Sequence, residues 1–156
     1  MNKVFYYIKN RGVENSNYTE ILYVKEGNYF DMKTFCGTDI IEIERIQGSI
    51  EKFGKSFIQR VFTQNEIAYC ESKNSMKYQH YAARFAAKEA ALKAVSKAVK
   101  DKYSLNWKNI EIQNDINGRP SIHFIDFNIE RLKYIDISIS HCKNYAIAMV
   151  VAEMEE

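Results

Sequence analysis

Two hydrophobic periods alternate along this chain. Residues 34–43 are apolar and β-branched, the pattern of a buried strand. Over residues 42–53 the spacing becomes helical, with Ile43, Ile46, Ile50 and Phe53 on one side and Gly54 as a stop. Phe57, Ile58, Val61 and Phe62 predict a further short helix. Thr63-Gln-Asn-Glu66 fits a capping box, in which the threonine hydroxyl accepts from the Glu66 amide and the glutamate reaches back to the Thr63 amide. A helix over residues 64–71 follows from it. Residues 78–99 carry the strongest helical pattern, with seven alanines between Ala82 and Ala94. Alanine loses no side-chain entropy in a helix and lets other elements approach the backbone closely.

After Trp107 the period changes to two. Residues 110–113 read as a strand, Asn117-Gly118-Arg119-Pro120 as a turn and residues 121–125 as the returning strand. Residues 127–134 are expected to form a short helix. Ile135, Ile137 and Ile139 alternate with Asp136, Ser138 and Ser140, which describes a half-buried strand. Residues 145–152 are apolar on both faces and so predict a central strand. One strand, then helices, then antiparallel strands make the fold class α+β, an antiparallel sheet packed on a long Ala-rich central helix.

Residues 1–31 differ from the rest. They hold five of the eleven tyrosines and no sustained period, and their strand-like runs, residues 4–8 and 21–24, are compatible with a hairpin. Met32 opens the clearer pattern, so residues 1–31 are expected to be an N-terminal extension and residues 32–156 the functional domain.

Composition narrows the function classes. The 46% hydrophobic and 27% charged content is that of an ordinary globular protein, and a net charge of +2 does not by itself point to nucleic acid. Cys36, Cys70 and Cys142 are odd in number and widely separated, which suggests neither a zinc site nor a disulfide framework. They are expected to be small buried hydrophobes in a reducing compartment. No stretch approaches the roughly 18 apolar residues that span a bilayer, and the N-terminal apolar run is too short for a secretory signal, so the expected location is cytoplasmic.

Four features could carry chemistry. Glu89 and Lys93 are four apart and share a helix face; their ordinary reading is a surface ion pair, but their alanine surroundings imply partial burial. Asp39 follows Gly37-Thr38 inside an isoleucine-rich strand, where aspartate is disfavoured, so it either caps locally or binds a cation. Together with Glu89 it makes a candidate hard-oxygen site, since Mg²⁺ is held by one or two carboxylates, waters and substrate phosphates. His141, closing Ser138-Ile-Ser140-His141 at a strand end, is more often a structural hydrogen-bonder than a catalyst; His80 and His123 offer only that structural reading. Arg45, Lys52, Lys55 and Arg60 form either a solvated face or a docking surface for an acidic partner. Walker or dinucleotide glycine loops are absent from the sequence, so phosphate would have to be bound by cations and metal.

Five stretches resemble one family in order. Residues 37–46 (Gly-Thr-Asp-Ile-Ile-Glu-Ile-Glu-Arg-Ile), 62–66 (Phe-Thr-Gln-Asn-Glu), 84–94 (Arg-Phe-Ala-Ala-Lys-Glu-Ala-Ala-Leu-Lys-Ala), 117–120 (Asn-Gly-Arg-Pro) and 138–141 (Ser-Ile-Ser-His) are similar to holo-acyl-carrier-protein synthases, 4′-phosphopantetheinyl transferases. The resemblance runs from Met32 to about Glu153. It implies transfer of phosphopantetheine from coenzyme A to a serine of an acyl carrier protein for fatty acid biosynthesis, with release of adenosine 3′,5′-bisphosphate. It also implies Mg²⁺ on Asp39 and Glu89, coenzyme A contacts from Lys88, Lys93, Gly118, Arg119, Pro120 and His141, and a catalytic set of Asp39, Glu89, Lys93 and His141. Arg45, with Lys52 and Lys55, would dock the carrier protein, and the family's homotrimers place sites between subunits. The acceptor of the serine proton stays open among Glu89, a water on the metal and His141. The rival readings are a transferase serving polyketide or peptide-synthetase carriers, and a non-catalytic nucleotide- or RNA-binding module using the basic helix. Against the latter, aromatic residues are not interleaved with the basic ones as stacking platforms require.

Overall fold

The computed structural model describes residues 5–9, 20–24, 32–99 and 104–155. The chain divides into two compact units, Met1–Asp31 and Met32–Glu156. In the first, β1 (Phe5–Lys9) and β2 (Glu20–Val24) pair antiparallel, with Phe5 opposite Val24 and Lys9 opposite Glu20.

The second unit runs β3 (Met32–Glu42), α1 (Ile43–Phe53), α2 (Lys55–Val61), α3 (Gln64–Glu71), α4 (Lys77–Val95), β4 (Ile110–Asn114), β5 (Pro120–Phe124), β6 (Leu132–His141) and β7 (Tyr145–Glu155). β7 is the centre of a three-stranded antiparallel sheet, order β3-β7-β6, and β4 and β5 form a separate hairpin. The register sets Ile41 across from Ala146 and His141, and Asp39 across from Ala148 and Ile139.

The alanine content of the long helix matches the alanines of the central strand. Ala86, Ala87, Ala90, Ala91 and Ala94 of α4 and Ala146, Ala148 and Ala152 of β7 are all buried. Small side chains on both sides let helix and sheet approach closely. Gly37 takes this furthest: a Cβ there would lie 2.0 Å from the Ala90 carbonyl oxygen and 2.7 Å from the Ala94 nitrogen. Only glycine lets β3 cross α4 at this point.

Several expectations are corrected. β3 is buried on one face only, because α4 covers one side of the sheet; Ile40 is 60% exposed on the other side, and Met149 and Ile147 of β7 share that face. α4 stops at Val95, and Ala98 closes a turn on the Val95 carbonyl instead of extending the helix. Residues 127–131 form no helix: Ile129 is buried, a single turn closes from the Leu132 amide to its carbonyl, and β6 begins at once. Of the cysteines only Cys70 is buried; Cys36 and Cys142 are exposed. Gly54 ends α1 as expected, its φ of 54° lying in the left-handed region that favours glycine.

Candidate active site

The site is built where β3 crosses α4. Strand alternation turns Asp39 to the same face as Gly37 and Ile41, toward the helix. Phe85, Glu89 and Lys93 follow one another at four-residue steps on α4. Lys93 Nζ donates to Asp39 Oδ1 at 2.8 Å and to the Thr38 carbonyl at 2.8 Å. Asp39 and Lys93 are therefore joined, and Glu89 stands one helical turn along.

Glu89 has a partner that the sequence did not announce. Its Oε1 accepts from the indole Nε1 of Trp107 at 2.5 Å. Trp107 starts a 3-10 turn, Trp107–Asn109, fixed by Asn106: the Asn106 side chain accepts from the Lys108 amide, and the Asn109 side chain accepts from the Asn106 amide. The indole also lies 5.7 Å from the Phe85 ring. Asparagine before the only tryptophan was the sole sequence signal, and it marks a cap without naming a partner.

Lys88 is engaged within the fold. It is fully buried, ion-paired to Glu66 at 2.7 Å, and donates to the carbonyls of Val61, Trp107 and Ile110 at 2.9, 2.7 and 2.6 Å. An ammonium has three donors, so none remains for a coenzyme A phosphate. Burial pulls its pKa down, against the opposing pull of Glu66. Glu66 is buried too, and besides its capping-box bond with Thr63 it accepts from the Ile112 amide at 3.0 Å. Neighbouring Glu111 accepts from the Thr63 hydroxyl, Asn65 and Gln113. Burial pushes the Glu111 carboxyl up, but those hydrogen bonds together outweigh it and hold it below the ordinary value.

The remaining expected residues lie elsewhere in the same chain. His141 ends β6, two strands and about 10 Å across the sheet from β3. Its ring is 6.1 Å from that of His80, whose pKa is lowered by burial and then by Arg84, Lys73 and His141. Gly118, Arg119 and Pro120 sit at the β4–β5 turn, where Gly118 has a φ of 84° and Arg119 pairs with Asp136 of β6 at 3.0 Å. Asp39, Glu89 and Lys93 thus gather at the β3 edge, while His141 and Arg119 mark the β6 edge. Arg45, Lys52 and Lys55 are exposed along α1 and the start of α2.

Among the described residues no group of three or more His, Cys, Asp and Glu forms a ready metal cage. Magnesium needs less, one or two carboxylates with waters and phosphates completing its shell. Asp39 and Glu89 fit that requirement: each is only partly buried, and the bonds above engage one oxygen of each carboxylate.

Residues 35–150 match the family model of the 4′-phosphopantetheinyl transferase superfamily. The holo-[acyl-carrier-protein] synthase of Ruminiclostridium cellulolyticum is 41% identical over 128 residues, covering 79% of this chain and 94% of that protein. That of Protochlamydia amoebophila is 46% identical over 117 residues, covering 74% and 93%. Among solved structures, the Bacillus anthracis synthase in complex with CoA (3′,5′-ADP) has a TM-score of 0.63 at 34% identity, covering 78% of this chain and 96% of that one. The Helicobacter pylori synthase in complex with coenzyme A has a TM-score of 0.61 at 31% identity, covering 75% and 98%.

Proposed function

The chain belongs to the 4′-phosphopantetheinyl transferase superfamily, with the activity of its holo-[acyl-carrier-protein] synthases, and from that premise we propose how its own residues perform the transfer. The enzyme moves 4′-phosphopantetheine from coenzyme A to apo-acyl carrier protein. The carrier serine Oγ forms a bond to the β-phosphorus, the bridging P–O bond breaks, adenosine 3′,5′-bisphosphate leaves, and the serine proton passes to a base. The observation that carries the residue assignment is the Asp39–Lys93 pair with Glu89 one turn away.

Asp39 and Glu89 would hold Mg²⁺, which supplies charge neutralisation on the diphosphate. Lys93 binds the phosphates, its flexible stem letting the ammonium leave Asp39 for the anion and meet the negative charge that grows on the leaving group. With one oxygen held by Trp107 and the other turned to the cation, Glu89 has no free oxygen for the serine proton, which passes to water. Within one chain His141, Gly118, Arg119 and Pro120 are at the other sheet edge, so they would serve coenzyme A bound between subunits. A homotrimer meets that need and covers the open apolar face of Ile40, Ile147 and Met149.

Arg45, with Lys52 and Lys55, would dock the acidic surface of the carrier and orient encounter. Residues 32–156 are the transferase domain in this reading and residues 1–31 an extension. The carrier is that of fatty acid synthesis and the location cytoplasmic; no helix among the described residues is long and apolar enough to cross a membrane.

The test is mass spectrometry of apo-acyl carrier protein incubated with enzyme, coenzyme A and Mg²⁺. Wild type adds one phosphopantetheine group. Asp39→Ala and Glu89→Ala should lose transfer by a factor of about 10² or more while keeping the wild-type circular dichroism spectrum. Near-normal transfer by both variants would remove the assignment.

A further inference from the structure

We propose that Trp107 is a positioning residue: its indole N–H fixes the Glu89 carboxylate in the orientation that grips the divalent cation. The inference rests on the metal reading of Glu89 above. Its own observation is the 2.5 Å bond from Trp107 Nε1 to Glu89 Oε1. That bond engages one carboxylate oxygen and turns the other away from the indole. A glutamate on a helix otherwise has three rotatable bonds, and ordering them opposes binding at the moment a ligand arrives.

The indole can act as a fixed donor because it is itself held at three points. The Trp107 backbone carbonyl accepts from the buried Lys88 ammonium at 2.7 Å, which Glu66 anchors in turn. Its 3-10 turn is locked by the reciprocal Asn106–Asn109 bonds. Its ring leans on Phe85, one helical turn before Glu89 on the same α4 face. Lys88 and Glu89 are consecutive residues: one holds the tryptophan backbone, and the other receives its side chain. The buried ion pair and the carboxylate are joined through Trp107. Outer partners of metal ligands commonly contribute a factor of 10–100 in metal affinity.

The experiment measures Mn²⁺ binding by electron paramagnetic resonance, with coenzyme A present, alongside transfer rates as a function of metal concentration. Three proteins are compared with wild type: Glu89→Gln, Trp107→Phe, and the full chain with benzothienylalanine replacing Trp107, which keeps the bicyclic shape but lacks the N–H. Trp107→Phe and the benzothienylalanine protein should each weaken Mn²⁺ binding about tenfold or more. Their rates at saturating metal should stay within about threefold of wild type, a split that a loss of packing would not give. Unchanged Mn²⁺ affinity in the benzothienylalanine protein, with Glu89→Gln weakened, overturns the role of Trp107 and leaves the metal reading standing. Unchanged affinity in Glu89→Gln overturns the metal reading itself. If Trp107→Phe fails to fold, the benzothienylalanine protein alone decides.

Discussion

Asp39 and Lys93 were legible as single residues because each is out of place: an aspartate in an isoleucine strand, and a lysine among alanines. Unfavourable local chemistry marks a compensating partner, and the structure supplies it as their mutual 2.8 Å bond. Lys88 has the same surroundings, and sequence cannot tell a buried cation satisfied by the fold from one that awaits a ligand. Its partners, three carbonyls and Glu66, come from segments 19 to 27 residues away on either side. Trp107 escaped for a related reason: a tryptophan fills space so often that its N–H carries no signal until its partner is placed. Lys88→Met should therefore act on stability first. It leaves Glu66 charged and buried with no counter-ion, a loss of roughly 3–5 kcal/mol to be read in chemical denaturation. The double variant Lys88→Met, Glu66→Gln should recover part of that loss, and equal destabilisation by both would show that the ion pair is incidental.

Elements with local punctuation were read to within a residue or two: α1 by its four-residue apolar spacing and Gly54, α3 by its capping box, the β4–β5 hairpin by Asn117-Gly118. Errors fell where tertiary context decides. The helix expected over residues 127–134 gave way because Leu132 pairs with Met154 of β7, and a strand partner outcompetes one helical turn. β3 looked buried because its residue types are apolar on both faces, although α4 covers only one. Its crossing of α4 suggests a sharp test. Gly37→Ala places a methyl group against the Ala90 carbonyl, which must push strand from helix; the cost should be at the upper end of roughly 1–3 kcal/mol. Asp39, two residues on, would shift with the strand, so transfer should fall even at temperatures where the variant is folded. The α3–β4 junction makes a pH prediction. Glu111 is held below its ordinary value of 4.5, so its contribution to stability is complete above that pH and is lost as the pH falls through the depressed value. The wild-type melting temperature should drop in that acid range, and Glu111→Gln, which keeps an acceptor without the charge, should flatten the drop.

For the whole molecule, the pattern of one strand, helices and then antiparallel strands gave the α+β class correctly, and the central place of β7 followed from its apolar sequence. What sequence could not show is that the candidate residues divide between the two edges of one sheet, because edge assignment depends on strand order rather than on any motif. The proposed trimer, which would join unlike edges, makes a direct forecast. Met149→Glu, a charge placed on the open face, should convert the assembly to monomers in sedimentation velocity and reduce transfer, whereas a monomeric and fully active variant would show that one chain suffices.

The pairing of β3 with β7 along eleven residues has a further consequence for synthesis. Among the described residues these are the first and last strands of their unit, and β7 is also the only strand bonded to β6. Until β7 has been synthesised and has emerged, neither edge strand has its partner, and the apolar face of α4 has no sheet to cover it. Helices can form on the nascent chain, but the core closes only once β7 is free to pair, and until then the alanine-rich helix is the surface that a chaperone would meet.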